Sequence, residues 1–353
     1  MALSIPVVWS DAHRLHEPGG EVYLGVMTPG TEVPARAERI REALEAAGAG
    51  VVEARSHPDS ALHAVHDPEL LSYLAGAWDA WLAARLDRDP GQDRVVPYLF
   101  PHPGLLDGLE PADPAAAAAR AGRFAYDTMT LIGPGTWDAA RAGADVALTA
   151  ADLVAEGERA VYACCRPPGH HVTRSAFGGS CYLNNGAIAA ASLRDALGAS
   201  VAMIDIDAHH GNGAQSIFWE DPEVLTGSVH VDPGAGWFPH YLGFASERGA
   251  GPGEGANLNL PLAPGSGDET WLEAVNRLAD WTSAANPAAL VVALGVDAAG
   301  ADPESPLEVT AEGYRTAGRT LAELGLPAVV VQEGGYDLDT IGELVLAFLE
   351  GFG

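Results

Sequence analysis

Lysine is missing altogether. All 19 basic residues among the 353 are arginines, set against 48 aspartates and glutamates, for a formal net charge of −29. Without lysine there is no Schiff base, which excludes pyridoxal-phosphate and lysine-aldolase chemistry. A P-loop is excluded too, because its lysine reaches the terminal phosphates of the nucleotide. So acidic a chain is expected to bind neither nucleic acid nor an anionic membrane surface. Cysteine is scarce: Cys164, Cys165 and Cys181 form an odd set with no CxxC. That usage predicts reduced thiols in a cytoplasm rather than a disulfide framework. No apolar run approaches the ~18 residues of a membrane span. The opening MALSIPVVWSDAHR has no basic segment ahead of its short apolar stretch and does not read as a signal peptide. A GxSxG nucleophile elbow is lacking as well; Ser180 stands in GGSC instead.

What the chain does have is alternation of two kinds of segment. Short apolar runs predict strands over Ile5–Trp9, Gly50–Ala54, Ala160–Cys164, Ser200–Asp207, Val224–Val231, Leu290–Leu294 and Ala328–Gln332. Ala- and Leu-rich stretches predict helices over Pro34–Ala47, Pro68–Leu86, Thr136–Glu156, Asn184–Leu197, Asp268–Ala284, Thr310–Leu324 and Ile341–Leu349. Runs such as VAMID and AVVVQ are apolar without alternation, as strands covered on both faces must be. The class is therefore α/β, a mostly parallel central sheet flanked by helices. With no Ser/Gly linker and no internal repeat, a single domain over 1–353 is expected. Two Pro- and Gly-rich stretches, Asp87–Asp113 and Asp232–Gly255, read as long loops, which in a compact domain tend to be functional.

Ligands of open parallel sheets bind beyond the carboxyl ends of the strands. CRPPGHH, DIDAHHGNG, GVDAAGADPE and QEGGYD each follow a predicted strand, so four reactive clusters can converge there. Asp205, Asp207 and His209 alternate, and a strand's period of two would put them on one side. Two carboxylates and an imidazole suit zinc or another divalent first-row metal. An aspartate capping the next helix and an ordinary loop histidine fit the same string. Asp297 offers a further ligand, leaving a fourth position open. His170 and His171, after a Pro-Pro-Gly turn, could hold a base and an acid beside the metal, or be structural. Of the pair His209–His210, one reads as ligand and one as packing. Tyr336, after two glycines, could donate to a developing oxyanion. Two carboxylate ligands largely cancel a divalent charge, so a general base becomes necessary.

RPPGHH, FGGSCYLNNGAIAA, DIDAHHGNGAQ, GVD and EGGY together resemble the zinc-dependent histone deacetylase superfamily, of arginase–deacetylase fold. SDAHRLHEP, PARAERI, VHDPELLSYLAGAWDAW and DPGAGWFPHYLGFASERGAGPG are similar to its acetylpolyamine amidohydrolase branch. The resemblance covers nearly the whole chain. It implies one catalytic zinc, or ferrous iron, on Asp207, His209 and Asp297. It implies His171 as general base and then acid, His170 paired with Asp205 as its electrostatic partner, and Tyr336 at the oxyanion. Asn212 would face His171, where class I deacetylases carry Asp. A structural potassium would use Asp205, Ser228 and the carbonyls of Asp207, His209 and Val229.

The implied substrate is a small acylated amine, bound by Trp237, Phe238, Gly179, Ser180 and Gly334. Ser180 stands where the family's tunnel carries an aromatic, so one wall is expected to be open. Glu304, in DPE, resembles the gatekeeper glutamate that selects a cationic chain, and Glu110 would add a second acid at the mouth. The loop Asp87–Asp113 would narrow the entrance at a homodimer interface. The expected activity is removal of an acetyl or other acyl group from a cationic amine such as an acetylpolyamine. Acetyl-lysine or an acylated specialised metabolite is the alternative substrate. A non-catalytic acyl-ligand sensor and a two-metal ureohydrolase fit the motifs less well.

Overall fold

The computed structural model of the protein describes residues 3–353. Its strands are β1 (Val7–Trp9), β2 (Glu21–Tyr23), β3 (Val26–Thr28), β4 (Val51–Glu53), β5 (Ala160–Ala163), β6 (Val201–Asp205), β7 (Val224–Val231), β8 (Asn257–Leu262), β9 (Ala289–Leu294) and β10 (Ala328–Gln332). Eight of them form one sheet in the order β4-β1-β5-β10-β9-β6-β7-β8, with every neighbouring pair parallel. Every residue of β6, β7, β9 and β10 is buried. Successive side chains point to opposite faces, so Val329 and Val331 enter one core while Ala328 and Val330 enter the other. That is why these runs carry no polar alternation.

Helices Pro68–Ala83, Thr136–Ala155 and Asn185–Leu197 cover the first face. Helices Ala35–Ala46, Asp268–Ala285, Ala311–Ala322 and Ile341–Phe352 cover the second. Ala140, Ala144, Ala147 and Ala151 form a buried stripe at i, i+4, i+7 and i+11 along Thr136–Ala155, the apolar face a core helix needs. Asn184 caps Asn185–Leu197 by accepting the N–H of Ala187 at 2.9 Å, and Gly198 ends it in the left-handed region.

The expected class and the seven expected strands and helices are present, with ends shifted by a few residues. Ser200–Asp207 ends as a strand at Asp205, because Asp207 and His209 enter turns closed by the preceding aspartates. Asp207 and His209 are therefore aimed by turns, not by strand alternation. The antiparallel hairpin β2–β3 was not expected; its turn is Leu24-Gly25, with φ 50° and 82°. Nor was the edge strand β8, where Asn257 and Asn259 dilute the apolar signal. The stretch Asp87–Asp113 is a long loop interrupted by the short helix Pro103–Leu106. Among the described residues no helix is long and apolar enough to cross a membrane. The strand order places β5, β10, β9 and β6 side by side, so the four motif-bearing ends are neighbours in space.

Candidate active site

Beyond β6 and β9, one ligand atom each from Asp207, His209 and Asp297 lie within 4.8 Å of one another. Turn hydrogen bonds fix all three. The N–H groups of Ala208 and His209 donate to Asp297 and Asp207 at 2.8 Å, and Gly334 N–H donates to Asp207 Oδ2 at 2.8 Å. Glycines make the approach possible: a Cβ at Gly334 would lie 2.5 Å from carboxylate oxygens of both Asp207 and Asp297, and one at Gly295 would lie 2.0 Å from Asp207. His209 Nδ1 sits 2.9 Å from Asp297 Oδ2 and 3.3 Å from Asp207 Oδ1. Burial opposes charge on His209, but the two carboxylates outweigh it and raise its pKa well above the ordinary histidine value. The set thus converges on a point of strongly negative potential with oxygen and nitrogen donors, which fits a divalent first-row metal.

The two histidines after β5 differ in their partners. His170 Nδ1 lies 2.9 Å from Asp205 Oδ2. Burial works against its charge, yet Asp207 and Asp205 together hold its pKa up at about 10. His171 Nδ1 lies 2.7 Å from Asn212 Oδ1, the amide oxygen fixing Nδ1 as the donor. Burial, then the charges of His170 and His209, push His171 well below the ordinary value. The two rings are thus driven in opposite directions, though their centroids are 4.0 Å apart. The Tyr336 phenol is raised by burial even though the Arg36 guanidinium, 4.5 Å from its ring centroid, draws it down.

His171, His209 and Tyr336 open into a cavity of about 450 Å³ that is also lined by Gly179, Ser180, Trp237, Phe238 and Glu304. A family model, the histone deacetylase domain, matches residues 30–352. The chain belongs to the histone deacetylase family. It is 39% identical over 346 residues to the acetylpolyamine amidohydrolase of Mycoplana ramosa, covering 98% of each chain. It is 40% identical over 339 residues to that of Burkholderia pseudomallei, covering 96% of each. A solved structure of an acetylpolyamine aminohydrolase from Burkholderia pseudomallei superposes with a TM-score of 0.92 at 38% identity, over 99% of this chain and 98% of that one. The HD domain of HDA15 superposes with a TM-score of 0.77 at 27% identity, over 99% of this chain and 88% of that one.

Within this family member, the cavity walls come from separate loops. The Phe238 ring meets His171 edge to face at 4.8 Å. Gly179 has φ 59°, and a Cβ there would come 2.3 Å from the His171 ring. Ser180 and Met129 also line the cavity, while Tyr126 stacks on Phe238 with ring centroids 6.4 Å apart. Asp127, which sequence reasoning missed, holds this loop: its carboxylate accepts the N–H groups of Gly179, Met129 and Thr130 at 2.6, 3.0 and 2.9 Å. Glu333 is a second omission, accepting the N–H groups of Gly169 and His170 at 2.6 and 3.0 Å, with its pKa raised to about 7 by burial.

Glu110 is a correction. It lies exposed on the long loop and takes no part in lining the cavity. The second carboxylate there is Glu21, at the start of β2. Burial, then the charges of Glu304, Asp127 and Glu32, raise its pKa to about 7. The signal was the turn-flanked string GGEVYLGVMT, weakened by a leucine where hairpins favour Asn or Gly. Glu304 is held in place from two directions, with Thr31 Oγ1 donating to its carboxylate at 2.8 Å and Trp237 Nε1 to its carbonyl at 3.3 Å. His210 does not join the ligands; its Nε2 lies 3.1 Å from Gln215 Oε1. Asp205 and Ser228 are paired across β6 and β7 and line a small cavity of about 10 Å³.

Proposed function

We propose that the protein is an amidohydrolase that removes an acetyl group from a small cationic amine, an acetylpolyamine. The observation that carries this is the joining, in one cavity, of the His171–His209–Tyr336 cluster with the carboxylates of Glu21 and Glu304. The names of its relatives support it.

Asp207, His209 and Asp297 would hold a zinc or ferrous ion, which when bound supplies Lewis acidity to the amide carbonyl and to a water. The rest is done by the chain. His171, neutral with Nδ1–H directed at Asn212, presents a free Nε2 that takes a proton from the attacking water and returns it to the leaving nitrogen. His170, held charged against Asp205, favours the negative charge that gathers on the carbonyl oxygen. Tyr336, held protonated, donates its O–H to that oxygen. Phe238 flanks the alkyl chain, with Gly179 leaving room beside it. Glu21 and Glu304 bind the ammonium, and Gly334 permits the close approach beneath the ligands.

A structural potassium is assigned to Asp205, Ser228 and the carbonyls of Asp207, His209 and Val229, supported by the Asp205–Ser228 pairing. A homodimer is assigned to the exposed apolar residues Tyr98, Leu99, Leu105 and Leu109 on the loop Asp87–Asp113. Ser180, which lines the cavity at the position where the resemblance implies an aromatic, favours a second reading, an acylated specialised metabolite with a bulkier acyl group.

Steady-state rates on zinc-loaded protein test the proposal, with N-acetylputrescine, N8-acetylspermidine and an acetyl-lysine peptide, each repeated with a chelator. A preference of about 100-fold for a polyamine, about 2.7 kcal/mol in the transition state, is expected. Chelator-resistant hydrolysis, or equal rates on the peptide, would refute it.

A further inference from the structure

One buried carboxylate touches both ends of the cavity without lining it. Asp302 is 7% exposed. Its Oδ1 accepts the N–H of Glu304 at 3.0 Å, while Oδ2 accepts those of Tyr336 at 2.6 Å and Asp337 at 3.2 Å. Its own N–H donates to Ala299 O at 3.0 Å, which ties it to the turn that follows Asp297. The loop after β9 and the loop after β10 are thus joined through two oxygens of a single side chain. We propose that Asp302 is a positioning residue that fixes Glu304 and Tyr336 relative to each other, so that the amine and the amide of a substrate are read by one rigid unit.

The chemistry of the group supports this. A carboxylate is acceptor-only and can serve three amide donors at once. Asparagine cannot, because its NH2 would face one set of N–H groups and leave them unpaired in a buried place. The other bonds on Glu304, from Thr31 and Trp237, hold it against the outer wall but give it no link to Tyr336. The bases of the two loops are also joined by backbone bonds, Val296 N–H to Gly334 O at 3.0 Å and Glu333 N–H to Leu294 O at 2.9 Å. Farther out, Asp302 is what ties the Glu304 segment to the Tyr336 segment. A shift of about 1 Å in either loop is enough to cost about 100-fold in rate.

The inference rests on the amidohydrolase reading, and the test separates the two. Asp302→Asn is compared with wild type on N-acetylputrescine and on N-butylacetamide, which lacks the ammonium. Each is measured with and without Glu304→Gln, and metal content is checked in every variant. In the wild-type background Glu304→Gln is expected to lower the preference for the cation by about 10-fold or more. In the Asp302→Asn background it is expected to change that preference by less than about 2-fold, with kcat already reduced on both substrates. A uniform fall in rate with the Glu304→Gln effect intact would overturn the proposal.

Hydrogen–deuterium exchange supplies a readout independent of activity. Segments 300–308 and 333–340 should both exchange faster in Asp302→Asn. If wild type cleaves neither substrate, the functional reading falls, and this arm alone decides the positioning role. Acceleration in one segment only, or in neither, overturns it. Should Asp302→Asn fail to fold, Asp302→Ser, which keeps one oxygen, is measured in the same way.

Discussion

The two ends of the cavity are built differently. At the amide end, Asp207, His209, Asp297 and His170 sit directly beyond β5, β6 and β9, and their aim is set by bonds between buried groups. At the amine end, Glu21 stands on a two-stranded hairpin outside the main sheet, and Glu304, Ser180 and Met129 stand on loops. The hairpin exposes Tyr23, Leu24, Val26 and Met27, so little of it is anchored in the core. On the proposed reading, chemistry is fixed by the sheet, whereas selectivity is carried by pieces that can change without disturbing it.

The amide end should therefore break abruptly. His171→Ala or Tyr336→Phe is expected to lower kcat by about 10²–10⁴-fold with folding and metal content unchanged; near-normal turnover would remove the residue from the mechanism. Gly179→Ala puts a methyl against the His171 ring and a side chain at positive φ. It should cost about 10²-fold through misplacement alone, read as lost kcat in a protein whose circular dichroism matches wild type.

The amine end should change preference rather than competence. Glu304→Leu is expected to cut activity on acetylpolyamines by about 10–100-fold while acetyl-lysine activity is kept or gained, the size of a charge-assisted hydrogen bond. An unchanged preference would deny Glu304 its role. Glu21 gives a subtler effect. Its raised pKa means that it is protonated below about 7 and charged above, so KM for a cationic substrate should fall as pH rises from 6 to 8. Glu21→Gln should flatten that slope, and a slope that persists would assign it to another group.

The same contrast governs what could be read in the sequence. Motifs at the amide end were legible because their residues are close in the chain and follow strands whose apolar runs are unmistakable. Asp205, Asp207, His209 and Asp297 were placed by the rule that parallel sheets bind ligands at strand ends, together with an expected strand alternation. The structure keeps the strand ends and replaces the alternation by turns; the residues' roles came from the family resemblance. The amine end depends on pairings distant in sequence, such as Thr31 with Glu304 across 273 positions, which no local pattern signals. Glu110 was expected from its place in the long loop, and Glu21 went unread because the hairpin turn carries a leucine in the left-handed region and the alternation of EVY and VMT is only three residues long. Asp127 and Glu333 act through backbone N–H groups, and that use of a carboxylate is invisible until the loops are folded.

The most direct test of the account is the ratio of kcat/KM for N-acetylputrescine to that for N-butylacetamide, measured on the metal-loaded protein before and after chelation. The two substrates present the same amide and differ in the ammonium. A ratio of about 100, with both rates abolished by the chelator, is the result expected of one metal-dependent site with a carboxylate-lined amine end. A ratio near one would contradict it.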